Sequence, residues 1–408
     1  MMILYKKLNH LVVIFFLLFA LTFLEQYKLF SVGFGPLWKL AVSVFFFLTW
    51  IKTSRPTPNL NKLGYLFCFL IFINTSFLEY FETDVFEFFR YLVLPLSISF
   101  FFTKKFNKVE INKFLILFCM SLVLINIPVF FGIIDVNYEQ KDLYLTYKLA
   151  EAKSIGFKGL YDNPHNFSIY NSLSYLIILN NLVHKKYKSI RWFQFLVLLI
   201  AVYFSYLSFV RTGWVIIIVG SIYVYFKYFK NVTKLKKIAL VLLIPMVFVL
   251  VYFQVSQSKL ILMRLLDQTA YNKNAGFETQ GAGRLLFSYQ ALINWLNDGF
   301  LSIIFGYGLE KGKLLLYKTI GYNLVSHNGI VDILQSTGFL GFGVFSLYIK
   351  NMFFKASKYF SDIKTKDDFI LILITFLFAG VLQSFTYPYI LFLLGLSFYN
   401  ASYNSIRT

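Results

Sequence analysis

One long apolar run after another occupies most of this chain, and about 20 apolar residues is the length that carries an α-helix across a bilayer. Twelve such runs can be marked: 11–24, 33–51, 63–77, 85–102, 114–134, 167–183, 192–210, 212–226, 238–255, 329–353, 369–385 and 389–403. The first, third and last are short. The runs are unbroken, whereas an outer-membrane barrel would alternate apolar and polar positions. The chain is therefore expected to be all-α, a polytopic membrane protein with about 12 transmembrane helices. Charged residues make up only 14% of the chain, against about 25% in soluble domains, which excludes an ordinary soluble enzyme. A 58% hydrophobic content excludes disorder. The first run is too long and too rich in Phe for a signal-peptide core, and no small-residue cleavage site follows it. It reads as the first membrane helix.

The formal charge of +20 invites a nucleic-acid reading, but the basic residues stand as short clusters between apolar runs. There they set orientation by the positive-inside rule, and no nucleic acid is expected as a partner. With both termini cytoplasmic, the cytoplasmic side collects 24 of the 39 Lys and Arg but 4 of the 19 Asp and Glu. Shifting the count by one run in the middle would scramble that separation. Residues 1–408 then form a single integral membrane domain with two long outward loops, 135–166 and 256–326. The second is too long to be a mere connection. Within it, residues 284–298 put Leu285, Leu286, Tyr289, Leu292, Ile293 and Leu296 at helical spacing, which predicts an amphipathic helix lying on a surface. Cys68 and Cys119 both fall inside apolar runs and read as small buried hydrophobes.

Few polar residues interrupt this background, and they carry the chemistry. His10 and His184 sit in basic cytoplasmic edges, where solvation explains them. His165, in Asn163-Pro164-His165-Asn166, stands at an outer helix start where Asn166 or Asn163 could cap. His327 lies where the large loop re-enters the membrane, in Ser326-His327-Asn328, followed by Gly338-Phe339-Leu340-Gly341. Histidine is the usual general base at neutral pH. The same residues also suit a helix-capping pair with glycines that let helices approach. Arg211 breaks a nearly uncharged stretch, and an arginine at membrane depth is a functional residue by default. Arg284 opens the amphipathic helix, where free amides and a guanidinium make an anion site. Arg90 is a further candidate, with pairing to Glu87 as the structural explanation, and Arg264 is another. Together these residues describe an outward-facing cavity with several guanidiniums and one histidine, suited to a lipid-linked phosphate or diphosphate.

The acidic group Glu79, Glu82, Asp84 and Glu87 fits a solvated loop better than the acidic motif of metal-dependent membrane glycosyltransferases. Asp332, five residues after His327, is either a helper or a polar helix residue. No zinc spacing, nucleotide-phosphate loop or serine-hydrolase elbow occurs, so no metal and no cofactor are expected.

At His327-Asn328, nine residues, and then Gly338-Phe339-Leu340-Gly341, the sequence resembles the O-antigen ligase/polymerase family of bacterial inner-membrane proteins. That family's motif is His, then Asn, Ser or Gln, nine residues, Gly, two residues and usually Gly. The Arg211 hairpin, Gly283-Arg284 leading to Gly306-Tyr307-Gly308, and the turn Asn163–Asn166 extend the similarity over about 160 to 345. The resemblance implies a metal-independent glycosyltransferase using undecaprenyl-diphosphate-linked oligosaccharide on the periplasmic side. It implies His327 as the base toward the acceptor hydroxyl, with Arg211 and Arg284 on the donor diphosphate. Arg90, Arg264, His165, Asn166 and Asn328 would line the substrate site. Membrane lipid and a chain-length regulator are the partners implied.

A polymerase moves the growing chain onto one lipid-linked repeat, and a ligase moves the finished chain onto lipid A-core. Two observations favour the polymerase. The bias to Phe, Tyr, Ile, Lys and Asn suits AT-rich polysaccharide clusters, and the outer side sums to about zero charge, with no basic patch for a phosphorylated core. A transporter of lipid-linked oligosaccharide is the reading from another class, although transporters more often show paired repeats.

Overall fold

A computed structural model describes residues 28–29, 32–33, 44, 59–76, 81–104, 106–134, 157–161, 163–184, 187–208, 210–229, 284–321, 325–359 and 363–402. Runs 11–24 and 238–255, and most of run 33–51, lie outside the described residues, as do His10 and Arg264. Elsewhere every expected run coincides with a helix. These are α1 (Asn61–Ser76), α2 (Phe81–Lys104), α3 (Lys108–Leu124) with the one-turn α4 (Ile127–Phe130), α5 (Pro164–Val183), α6 (Arg191–Ser208) and α7 (Arg211–Phe229). The segment before His327 supplies α8 (Arg284–Asn297), α9 (Phe300–Phe305) and α10 (Leu309–Ile320). Then come α11 (Gly329–Tyr359), α12 (Ile363–Leu382) and α13 (Pro388–Ser402). Among the described residues the sole β-structure is a two-residue antiparallel ladder, Lys28–Leu29 with Val32–Gly33. The chain is helical for a physical reason: in lipid, backbone groups have no water to bond and must satisfy each other within the segment.

Among the described residues, Lys108–Phe130, Arg191–Ser208 and Gly329–Lys358 are long and apolar enough to cross a membrane. Asn61–Asn74, Phe88–Phe102 and Tyr389–Ser402 are shorter apolar helices. Tertiary contacts show that the helices alternate in direction between two ends of the bundle. At the end that carries His327, here the upper end, Phe157 N–H donates to the Leu207 carbonyl at 2.9 Å and Leu160 N–H to Asn126 Oδ1 at 3.0 Å. At the lower end, Tyr399 OH donates to the Phe106 carbonyl at 3.1 Å and Asn180 Nδ2 to Asp368 Oδ1 at 2.7 Å. Each pair joins residues that the charge pattern assigns to the same side. Outward, α6 exposes Trp192, Phe193, Phe195, Leu196 and Leu199, and α11 exposes Leu340, Leu347 and Phe354 at heptad spacing. Apolar stripes of this kind face lipid or a partner, not water.

Among the described helices α5 is central, packing on α3, α6, α7 and α12. Several of its polar residues point inward and bond neighbouring helices. Asn171 Nδ2 donates to the Ala201 carbonyl at 2.7 Å and to Ser205 Oγ at 2.8 Å, and Ser172 Oγ donates to the Gly213 carbonyl at 3.0 Å. Small polar residues let helices approach closely and add hydrogen bonds across the seam. Cys68 and Cys119 are free and buried, as expected.

His184 departs from its solvated reading. Its Nε2 lies 3.2 Å from Asp367 Oδ2, and Lys227 Nζ and Tyr223 OH reach Asp367 Oδ1 at 3.2 and 2.6 Å. Beside it Lys364 and Asp368 form a buried ion pair at 2.8 Å. These residues therefore knit α5, α7 and α12 together, because a buried carboxylate must recruit partners.

Candidate functional site

The upper end is built around a broken helix. α-Helical hydrogen bonding runs through Gly329–Tyr359, but Gly338 has φ 62° and ψ −166°, a region that essentially only glycine visits. A Cβ there would overlap the backbone of Ile304 and Phe305. Across the contact, Gly306 (φ 80°) lies against the backbone of 335–337. The break frees the Gln335 carbonyl, which accepts from Tyr307 N–H at 2.7 Å and Gly308 N–H at 3.1 Å. Asn74 on α1 fastens the junction by donating to the carbonyls of Phe305 and Ser336, the latter at 2.6 Å.

The bend is sharp. Gly329 touches Phe385, and the Phe345 ring also packs on Phe385, with centroids 5.3 Å apart. In a straight helix, sixteen residues would separate them by about 24 Å, too far for one ring to reach both. The run expected as a single span at 329–353 is therefore two segments. The part after Gly338 is about 31 Å long and matches a bilayer core by itself. The part before it is buried from Val331 to Gly338 and belongs to the site.

His327 stands just before the first segment, partly buried and with φ 55°. A non-glycine residue in the left-handed region costs about 1–2 kcal/mol, so its surroundings must hold it there. Asn328 Oδ1 caps α11, accepting from Ile330 N–H at 3.0 Å and Val331 N–H at 3.5 Å. Ser326, fully buried, places its Oγ 2.7 Å from Asp332 Oδ1 and accepts from Asn328 N–H at 3.1 Å. Ser288 Oγ of α8 donates to the Ser326 carbonyl at 2.9 Å, and Phe287 packs on the His327 ring with centroids 6.3 Å apart.

A second strand of contacts ties this turn to the other sequence candidates. Gly329 sits against Gly380 and Phe385, at the α12–α13 turn. In that turn the buried Gln383 has Nε2 3.4 Å from His165 Nδ1 and 3.4 Å from Thr212 Oγ1. Thr212 follows Arg211, which is exposed and opens α7. The turn descends from that rim, since Tyr387 and Tyr389 pack on Tyr170, six residues or about 9 Å into α5. His165, Arg211 and His327 thus stand around one recessed turn. The starts of α5, α7 and α11 are gathered at this turn, each bringing the positive end of a helix dipole.

The remaining candidates divide. Asn163 is the cap of α5, and Asn166 donates its N–H to it at 2.8 Å. Arg284 opens α8 as expected, and its side chain lies outside the described residues. Arg90 is half-buried on α2 beside Tyr91, which packs on Phe67 and Phe345. The side chain of Glu87 lies outside the described residues.

The expected helix is present as α8. Phe287, Ala291 and Trp295 are buried against α10 and α11, whereas Leu285, Tyr289 and Leu296 are exposed. Both faces of α8 are apolar, so hydrophobic spacing picks out the outer one as readily as the inner. Trp295 donates to the Ser302 carbonyl at 2.8 Å and Gln335 Nε2 to Tyr307 OH at 2.9 Å, closing a small core over the site. Burial holds the Tyr307 phenol well above its usual range, which keeps it a neutral acceptor for Gln335. Asn74, Ser288, Ser326 and Gln383 were not singled out from the sequence. A lone Asn or Gln in an apolar run is the signal that points to two of them.

Comparison with known families matches the chain to the family described as O-antigen ligase, over residues 196–346. No curated protein matches the chain. The matched segment runs from α6 through Arg211, Arg284 and His327 to Gly341, so it contains the broken helix and the outer helices packed on it. The similarity to the O-antigen ligase family thus covers residues 196–346, the part of the chain that holds the spacing from His327 to Gly341.

Proposed function

We propose that the chain is an O-antigen polymerase of the bacterial inner membrane. It is a single integral domain of about 12 transmembrane helices, with both termini cytoplasmic and the site periplasmic. It joins undecaprenyl-diphosphate-linked oligosaccharide repeat units. The observation that carries this reading is the turn at His327, a motif histidine held in a left-handed conformation two residues from Gly329, which packs on the turn whose Gln383 reaches His165 and Thr212.

His327 takes the proton of the acceptor hydroxyl. The acceptor oxygen forms the new bond to the anomeric carbon of the donor as the bond from that carbon to the diphosphate oxygen breaks. Arg211 and Arg284 stabilise the charge gathering on the departing undecaprenyl diphosphate, as preorganised guanidiniums do for phosphates. His165, Asn166, Asn328, Arg90 and Arg264 are assigned to substrate contacts. The transfer needs no metal, and a chain-length regulator sets how often it repeats.

A second reading, O-antigen ligase, is favoured by the description of the matched family. Deleting the gene in its host and complementing with wild type or His327→Ala separates the two on a lipopolysaccharide gel. Core capped by one repeat in the deletion, with a ladder restored only by wild type, is the polymerase outcome. Bare core with polymer held on the lipid carrier is the ligase outcome. A normal ladder from His327→Ala removes the base assignment from both.

A further inference from the structure

We propose that Asp332 is a positioning residue for His327, acting through the Ser326 hydroxyl. This rests on the reading of His327 as the base.

Asp332 is a buried carboxylate, 5% exposed, one turn into the first segment of α11, and the transfer chemistry above gives it no task. Its Oδ1 lies 2.7 Å from the hydroxyl of Ser326, itself 0% exposed. The same Ser326 Oγ accepts from Asn328 N–H at 3.1 Å, and its proton has two acceptors in reach, the Asn328 carbonyl at 3.0 Å and the nearer, charged Asp332 carboxylate, which makes the stronger bond. The two residues that flank His327 are therefore held by one oxygen, and that oxygen is held by Asp332. The residue between them takes the left-handed conformation, φ 55°, within this bonded turn. A second support comes from another element, since Ser288 on α8 donates to the Ser326 carbonyl at 2.9 Å. A strained backbone survives only where its surroundings over-determine it, and here the over-determination converges on Ser326. Without it the turn relaxes toward ordinary φ values, which re-aims the imidazole. A base misplaced by an ångström loses most of its rate advantage.

The carboxamide of Asp332→Asn keeps an oxygen for the Ser326 hydroxyl, whereas Asp332→Leu and Ser326→Ala remove the bond. The enzyme is purified in detergent and assayed on the lipid-linked oligosaccharide fraction extracted from a host lacking the gene. Asp332→Leu and Ser326→Ala should each lose about 30-fold or more in kcat with KM within about 3-fold, in keeping with loss of general-base geometry. Asp332→Asn should stay within about 3-fold of wild type, and the double variant should be no worse than the poorer single, because both changes break one linkage. The acid limb of the pH profile should keep its midpoint in all of them, since positioning changes amplitude and not the titrating group. Asp332→Asn as inactive as Asp332→Leu, or a shifted acid limb, overturns the proposal in favour of a direct electrostatic role. Wild-type kcat in Ser326→Ala also overturns it, and that variant removes a single oxygen, so the test survives an Asp332→Leu that fails to fold. An active His327→Ala enzyme overturns the base assignment itself, and the positioning role with it. Inactive His327→Ala beside fully active Ser326→Ala overturns the positioning role alone.

Discussion

Gly338 rests directly on the carbonyl of Ile304, with no room between them for a Cβ. Its backbone also occupies a region reserved for glycine. Gly338→Ala should therefore destabilise the protein by about 3 kcal/mol, the strain and the overlap adding. Gly343, five residues on in the same helix, meets nothing within 4 Å. Gly343→Ala should be neutral or stabilising by up to about 1 kcal/mol. Thermal unfolding of the two variants in detergent makes the comparison, and equal melting temperatures would refute the broken-helix packing.

Asn74 gives both protons of its carboxamide to backbone carbonyls, those of Phe305 and Ser336. Asn74→Ala should cost about 2 kcal/mol, roughly 1 for each bond. Asn74→Asp should be worse, because it faces two acceptors with acceptors only. Amide exchange at Tyr307 and Gly308, whose N–H groups bond the Gln335 carbonyl, should accelerate in both variants. Unchanged exchange would mean that α1 does not hold the junction.

Acid should loosen the lower end first. Burial alone would raise the Asp367 pKa, but hydrogen bonds from His184, Tyr223 and Lys227 and the Lys227 charge override it and hold the carboxyl below its usual range. A folded-state pKa below the unfolded one means the stabilisation is present above the unfolded value, about 3.9, and is lost as pH falls through the folded value. Melting temperature should drop more steeply below about pH 4 in wild type than in Asp367→Asn. At pH 7 the variant should be less stable by about 2 kcal/mol, the scale of hydrogen bonds to a charged group. Parallel pH curves would contradict this account.

Arg211 is first in α7, where a guanidinium adds to the amides of a helix start. On the proposed mechanism Arg211→Ala lowers kcat by about 100-fold or more, the scale of losing one preorganised donor. Arg211→Lys should recover only part, because an ammonium keeps the charge without the planar fork. Kinetics on the extracted lipid-linked oligosaccharide give the measurement. A lysine variant as fast as wild type would reduce the role of Arg211 to charge alone.

Helix positions were legible because they depend on local sequence. An apolar run of bilayer length has to satisfy its own backbone, and each run within the described residues became a helix. Which ends meet was legible too, since clusters such as His184 and Lys227 mark one side of every hairpin, and they converge on Asp367. The spacing from His327 to Gly338 and Gly341 led to the family, and the family match covers it.

What the spacing could not say is what each residue does, because that depends on partners far away in the chain. Gly338 reads equally well as a site of helix packing and turns out to break a helix against residues 304–306. Gln383 and Asn74 look like stray polar residues until His165, Thr212, Phe305 and Ser336 arrive beside them. Spacing marks α8 as an apolar surface helix without saying which of its residues dock, and Phe287, Ala291 and Trp295 are the ones that are buried. The sequence by itself determined a helical membrane chain, the grouping of its ends and the candidate histidine and arginines, since hydropathy and charge act locally. The tertiary structure alone decided the bend at Gly338, the turn that aims His327 and the recessed floor beside it, since each exists only through contacts between residues distant in sequence.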